Sequence, residues 1–143
     1  MSGSPAPLGH ALLVALTPES RAALGVSHVE IEQFPYRVGR DSRGTQRTAD
    51  GLVRERRSPG SRPTNDLYLV EHDEPLNVSR AHFQIDRADT GYALLDREST
   101  CGTIVEGEIV GGETRGGTIT LHDGDVIIVG TSSSPYAFKF RIG

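Results

Sequence analysis

Residues 76–87, LNVSRAHFQIDR, decide the fold. Phe83 and Ile85 alternate with Gln84 and Asp86, the period-two pattern of a strand with one face in a core and the other in water. The strand is entered through Ser79, Arg80 and His82, three side chains able to bond a phosphate within four residues. A polar turn and a ligand site both fit that entry.

Working outward, ten more short runs read as strands: 10–16, 28–33, 36–38, 66–70, 92–96, 103–106, 108–110, 118–121, 125–129 and 136–141. Alternation is clear in VEIEQF, YALLD and YAFKFRI, and turn signals such as ADTG, VEGE, LHDGD and TSSSP separate most runs. Many short strands joined by glycine-rich turns make an all-β sandwich or barrel. PESRAALG at 18–25 suits about two turns of helix or a loop.

With 143 residues the chain reads as one domain, able to bury a core without metal or disulfide staples. Cys101 is the only cysteine, so no internal disulfide forms. No apolar run is long enough to cross a membrane, and MSGSPAPLGH lacks the basic and apolar regions of a secretion signal. The reading is a soluble, cytoplasmic protein, with residues 1–8 a flexible leader and 9–143 the domain. A net charge of −4 argues against general nucleic-acid binding.

Charge is unevenly placed. Residues 40–62 hold seven arginines and three acids, a local net of +4, leaving −8 for the rest. The connection 41–63 has no periodicity and reads as a structureless, arginine-rich insertion. Connections of this length inside a compact domain are uncommon, though long surface loops add little closure entropy.

Three motifs carry chemistry. In YRVGRD a strand ends at Val38, Gly39 permits a tight turn or a positive φ, and Arg40 presents a planar cationic fork. In NVSRAH, Ser79 and Arg80 offer a hydroxyl and a second cation. Three-residue Ser–His spacing is not a triad geometry, and no nucleophile elbow is visible, so His82 reads as a residue that orients its neighbours. In DRESTCGTIVEG, a loop of Ser99, Thr100 and Cys101 turns at Gly102 into a strand starting at Thr103, and Gly107 marks a hairpin. Loop hydroxyls beside a glycine commonly just cap the turn.

The order VGR, ND-L-L, VSRAHFQI, LLD-x-x-ST-x-GT-x-V-x-G, L-x-D-GDVI-x-VG and a final FKF strand resembles the forkhead-associated (FHA) domain, from about Ala11 to Ile142. The resemblance implies an eleven-stranded β-sandwich that binds phosphothreonine peptides through loops at one end, in kinase-dependent signalling. It makes Gly39 and Arg40 the family's Gly-Arg pair, with the arginine on the phosphate. It puts the Ser79 hydroxyl on the phosphate, makes Arg80 the variable basic neighbour, and gives His82 the bracing role. Thr100 contacts the phosphothreonine, and Gly102 and Thr103 form the turn beyond it. Cys101 stands where the family has an asparagine that clamps the peptide backbone, and a thiol is a poor hydrogen-bonding substitute for an amide. Glu106, where asparagine is also common, reads as a harmless turn change.

A phosphorylated threonine carries nearly two negative charges and three acceptor oxygens, which two arginines and two hydroxyls from separate loops would satisfy. The chain is therefore expected to bind rather than catalyse, with no cofactor; His10, His28, His72 and His122 show no metal-ligand spacing. The insertion follows Arg40 directly, so its arginines would extend the basic surface, or RERRSPG or GTQRTAD would be phosphorylated and seat in a neighbouring copy, a route to self-association. Two other functions compete: a phosphate-independent assembly module with a degenerate pocket, which Cys101 favours, and an anion or nucleic-acid binder working through the arginine-rich loop.

Overall fold

The computed structural model describes residues 10–40, 65–71, 77–112 and 117–143, with the backbone alone of 46–47 and 53–54. The strands are β1 (Ala11–Ala15), β2 (His28–Ile31), β3 (Tyr36–Arg40), β4 (Gln46–Arg47), β5 (Val53–Arg54), β6 (Leu67–Leu69), β7 (Phe83–Ala88), β8 (Gly91–Asp96), β9 (Thr103–Val105), β10 (Glu108–Val110), β11 (Thr118–Leu121), β12 (Val126–Val129) and β13 (Ala137–Ile142). Eleven of them form two sheets, a six-stranded one in the order β10-β9-β12-β13-β1-β2 and a five-stranded one in the order β11-β8-β7-β3-β6. This is the expected sandwich.

Alternation places the core between the sheets. Leu13, Val105, Ile127, Val129, Phe138 and Phe140 point inward from the first sheet, and Val38, Leu69, Phe83, Ile85 and Leu94 from the second, all fully buried. Tyr92 crosses the layer, with its ring 5.3 Å from that of Phe140 in an edge-on arrangement. Burial of aromatic and branched side chains at roughly 25 cal/mol per Å² is the main force holding the layers together. Residues 18–25 resolve into a helix, α1 (Pro18–Leu24), started by the Thr17 hydroxyl accepting the Ser20 N–H at 3.0 Å and ended by Gly25 at φ 79°.

Two expectations need correction. The 41–63 connection is not wholly structureless: β4 and β5 pair antiparallel, Gln46 opposite Arg54 and Arg47 opposite Val53. Strands of two residues are too short to leave a periodic signal in sequence. The rest of this connection, and the leader 1–8, lie outside the described residues. Gly39 is not a turn residue either. It sits inside β3, paired with Tyr68, and a Cβ there would meet the Arg80 carbonyl oxygen at 2.0 Å and the Asn65 amide at 2.6 Å. The glycine is required by close approach of another chain segment, not by a positive φ.

Strand directions fix which loops share an end. Val38 pairs with Phe83 and Phe83 with Asp96, while Val129 pairs with Thr103. The end of β3, the segment entering β7, the loop from β8 to β9 and the loop after β12 therefore lie together.

Candidate functional site

At that end the chain segments are tied to one another by main-chain and side-chain bonds. The Arg40 N–H donates to the Ser79 carbonyl at 2.8 Å, and its Nε donates to the Val78 carbonyl at 2.9 Å. The second bond orients the guanidinium and leaves its Nη1 and Nη2 fork without a hydrogen bond among the described residues. The Thr100 N–H donates to the Ser79 Oγ at 3.0 Å, so the hydroxyl hydrogen of Ser79 is left to donate elsewhere. Thr100 is exposed, and Ser79, Arg40 and Cys101 are half-buried. Cys101 makes no disulfide.

His82 is fully buried behind these groups. Its Nδ1 accepts the Ser79 N–H at 2.9 Å, so Nε2 carries the proton and donates to the Gly102 carbonyl at 2.7 Å. One neutral ring thereby joins the segment entering β7 to the loop before β9. Burial holds the imidazole below the ordinary histidine range, against the opposing pull of the Gly102 bond and the charges of Asp96 and Glu71.

Asp96 is the second brace. Its carboxylate takes the Ser99 N–H at 2.8 Å, the Ser99 hydroxyl at 2.6 Å and the Thr103 hydroxyl at 3.1 Å. Ser99 Oγ in turn accepts the Gly102 N–H at 3.0 Å, and Gly102 makes the turn at φ 82°. Ser99 and Thr103 are thus more than turn caps, because they satisfy a buried charge.

Asn65, Glu71 and Arg97 also support the loops and had no assigned role in the sequence reading. Asn65, which the ND-L-L motif contained, is buried; its Nδ2 donates to the Arg80 carbonyl at 2.7 Å and its Oδ1 accepts from Arg97 Nη1 at 2.8 Å. Glu71 caps the segment from below, its carboxylate accepting the Asn77 N–H at 2.9 Å and the Val78 N–H at 2.7 Å. The Arg80 side chain itself is exposed, and its link to the rest is through its carbonyl.

Glu106, at the opposite end, is not a neutral turn change. It adopts φ 48° beside Gly107 at φ 85°, a costly conformation for a residue with a Cβ. Its carboxylate accepts the Val126 N–H at 2.7 Å and so ties the hairpin to β12.

Among the described residues no group of three or more histidine, cysteine, aspartate or glutamate side chains is placed to hold a metal ion. No helix among them is long and apolar enough to cross a membrane. What converges at the loop end is a cationic fork and two hydroxyls, held in place by buried polar groups. Such an arrangement can bind an anion with several acceptor oxygens.

The sequence matches the family model of the FHA domain over residues 36–130. The solution structure of the FHA domain of an Arabidopsis thaliana hypothetical protein is similar, with a TM-score of 0.60 and 19% identity over 99% of this chain and 93% of that one. Mycobacterium tuberculosis EmbR, solved in complex with a low-affinity phosphopeptide, gives a TM-score of 0.56 and 23% identity over 94% of this chain, which spans 25% of EmbR. A domain solved in a structural and functional analysis of phosphothreonine-dependent FHA domain interactions gives a TM-score of 0.52 and 22% identity over 94% of this chain and 97% of that one. These likenesses are of fold. No curated protein matches the sequence.

Proposed function

The chain belongs to the FHA domain family, and we propose that it is a phosphothreonine-dependent interaction module whose ligand is a peptide or protein segment phosphorylated by a threonine kinase. The observation that carries this reading is the meeting of Arg40, Ser79 and Thr100 at one end of the sandwich. The Arg40 fork takes two phosphate oxygens. The Ser79 hydroxyl, its oxygen already accepting the Thr100 N–H, donates its hydrogen to a third. Arg80 and the Thr100 hydroxyl add charge and a further donor at the rim. No bond is made or broken in this scheme, so the site binds and releases.

Titration by calorimetry tests it, using a phosphothreonine peptide library beside its phosphoserine and unmodified versions. Phosphothreonine peptides are expected to bind best. Arg40→Ala is expected to weaken them by more than about 100-fold, since two charge-assisted bonds of roughly 1.5–3 kcal/mol each are lost. Equal binding of phosphorylated and unmodified peptides would overturn the reading.

Cys101 favours a second reading, a phosphate-independent assembly module with a degenerate pocket, because it replaces the amide expected to clamp the ligand backbone. Cys101→Asn separates the two. A several-fold gain for phosphothreonine peptides fits a working pocket lacking one clamp, and the absence of any phosphopeptide binding by either form fits the assembly module.

A further inference from the structure

The outer faces of the two sheets differ. On the five-stranded sheet Arg37, Gln84, Asp86, Thr118 and Thr120 surround Ala93 and Leu95. On the six-stranded sheet a row of apolar side chains crosses five strands. Ile109 pairs with Ile104, Ile104 with Ile128 and Ile128 with Ala137, and the Leu16 N–H donates to the Ala137 carbonyl at 3.0 Å. The strand neighbours Val105, Ile127, Val129 and Phe138 are buried in the core, so this row points out. Ile109 is 72% exposed and Leu16 44%, two of the three large apolar side chains that stand exposed among the described residues. A second outward row, one step further from the loop end, runs Val126, Lys139, Val14 and His28. The first row holds no charge, and the second holds one ammonium group.

Contiguous apolar surface of this kind on a folded chain commonly serves as an interaction site. Branched side chains in rows on a pleated sheet are also what one sheet packs against in another. We infer that a second copy of the chain covers this face, in a weak dimer whose six-stranded sheets stack on each other. The face is self-complementary. A two-fold axis lying between the two rows, at right angles to the strands, exchanges residues that are two apart on one strand. Ile128 then meets Val126 of the second copy, and Leu16 meets Val14. The long Lys139 stem lies over Ala137, the smallest side chain of its row, and the two ammonium groups fall on opposite sides of the axis.

Size sets the strength. With strands about 4.8 Å apart and about 3.4 Å per residue along them, two rows over five strands cover roughly 24 by 14 Å. A pair of copies would bury about 700 Å² in this apolar centre and more at its rim, the range of transient rather than permanent association. The inference does not depend on the phosphothreonine reading.

Sedimentation velocity of the full chain tests it, after phosphatase treatment to remove any association through phosphorylated segments. A shift from monomer to dimer is expected with rising concentration, half complete near about 100 μM. Over the same range the methyl signals of Val14, Ile104 and Ile128 should move. Ile128→Lys and Leu16→Lys should each leave monomer at about tenfold higher concentration, since each places a second cation beside Lys139 in the contact. Leu16 is already exposed, so its variant keeps the test valid if Ile128→Lys fails to fold. Thr120→Lys, on the outer face of the other sheet, should dimerise as the parent does. A monomer at every concentration would overturn the inference. So would a dimer that survives both Leu16→Lys and Ile128→Lys, which would assign self-association to another surface, or methyl signals that move only on adding a different protein, which would give the face to a foreign partner.

Discussion

The two ends of the sandwich are built from different material. Among the described residues, five of the six buried polar side chains, Asn65, His82, Asp96, Ser99 and Thr103, lie beneath the loop end, and the sixth is Ser20. At the opposite end the turns are fixed by exposed or half-buried groups: Asp123 takes Arg141 Nε at 2.9 Å, Asp125 accepts the His122 N–H at 2.8 Å, and Glu106 accepts the Val126 N–H at 2.7 Å. Apolar packing can supply stability at either end. Buried, fully bonded polar groups give one geometry rather than several, because any other arrangement leaves a donor or charge unsatisfied in a dry interior. The polar material lies at the end where the proposed anion site would need exact loop placement.

Deleting a brace should therefore cost far more than deleting a tie at the other end. The largest effect is expected for Asp96→Ala, which strips acceptors from the Ser99 N–H and from the Ser99 and Thr103 hydroxyls. A loss of about 3 kcal/mol in urea unfolding is expected, with phosphopeptide binding lost alongside. Retained stability and binding would show that the loops do not depend on this carboxylate.

The next effect is set by pH. His82 has a lowered folded pKa, so the unfolded chain binds its proton first as pH falls. Its contribution to stability is complete above the ordinary histidine value of about 6.5 and declines below it, by up to about 1.4 kcal/mol per pH unit. Protonation of the folded form puts a hydrogen on Nδ1 facing the Ser79 N–H and comes at lower pH, so phosphopeptide affinity should weaken only below the pH where the stability loss begins. Unfolding midpoints between pH 7 and pH 5, compared with His82→Gln, check this, and an equal slope in the variant would assign it to other groups. The smallest effect belongs to Arg141→Gln at the far end, where the Asp123 pair is half-exposed. The thermal midpoint and peptide affinity should stay where they are.

Much of this was legible in sequence because alternation and turn chemistry are local. The eleven strands of the two sheets fall close to the runs read from period-two patterns, and α1 is one of the two outcomes that PESRAALG allowed. The misread features depend on distant neighbours. Gly39 looks like a turn glycine until Arg80 and Asn65 are brought over it. Asn65, Glu71 and Arg97 bond to groups that are 15, 7 and 32 residues away, and no local pattern encodes such pairs. Glu106 looks neutral until Val126 is placed beside it. At the candidate site, residue types and spacing pointed to an anion, while the supporting network became visible only with the fold.

The most direct measurement is a map of the backbone amides that shift when a phosphothreonine peptide is titrated into the full chain. The account predicts shifts at Arg40, Ser79, Arg80, Thr100 and Cys101, with Glu106, Gly124 and Asp125 unmoved. Shifts centred on the opposite end, or the same shifts with the unmodified peptide, would contradict it.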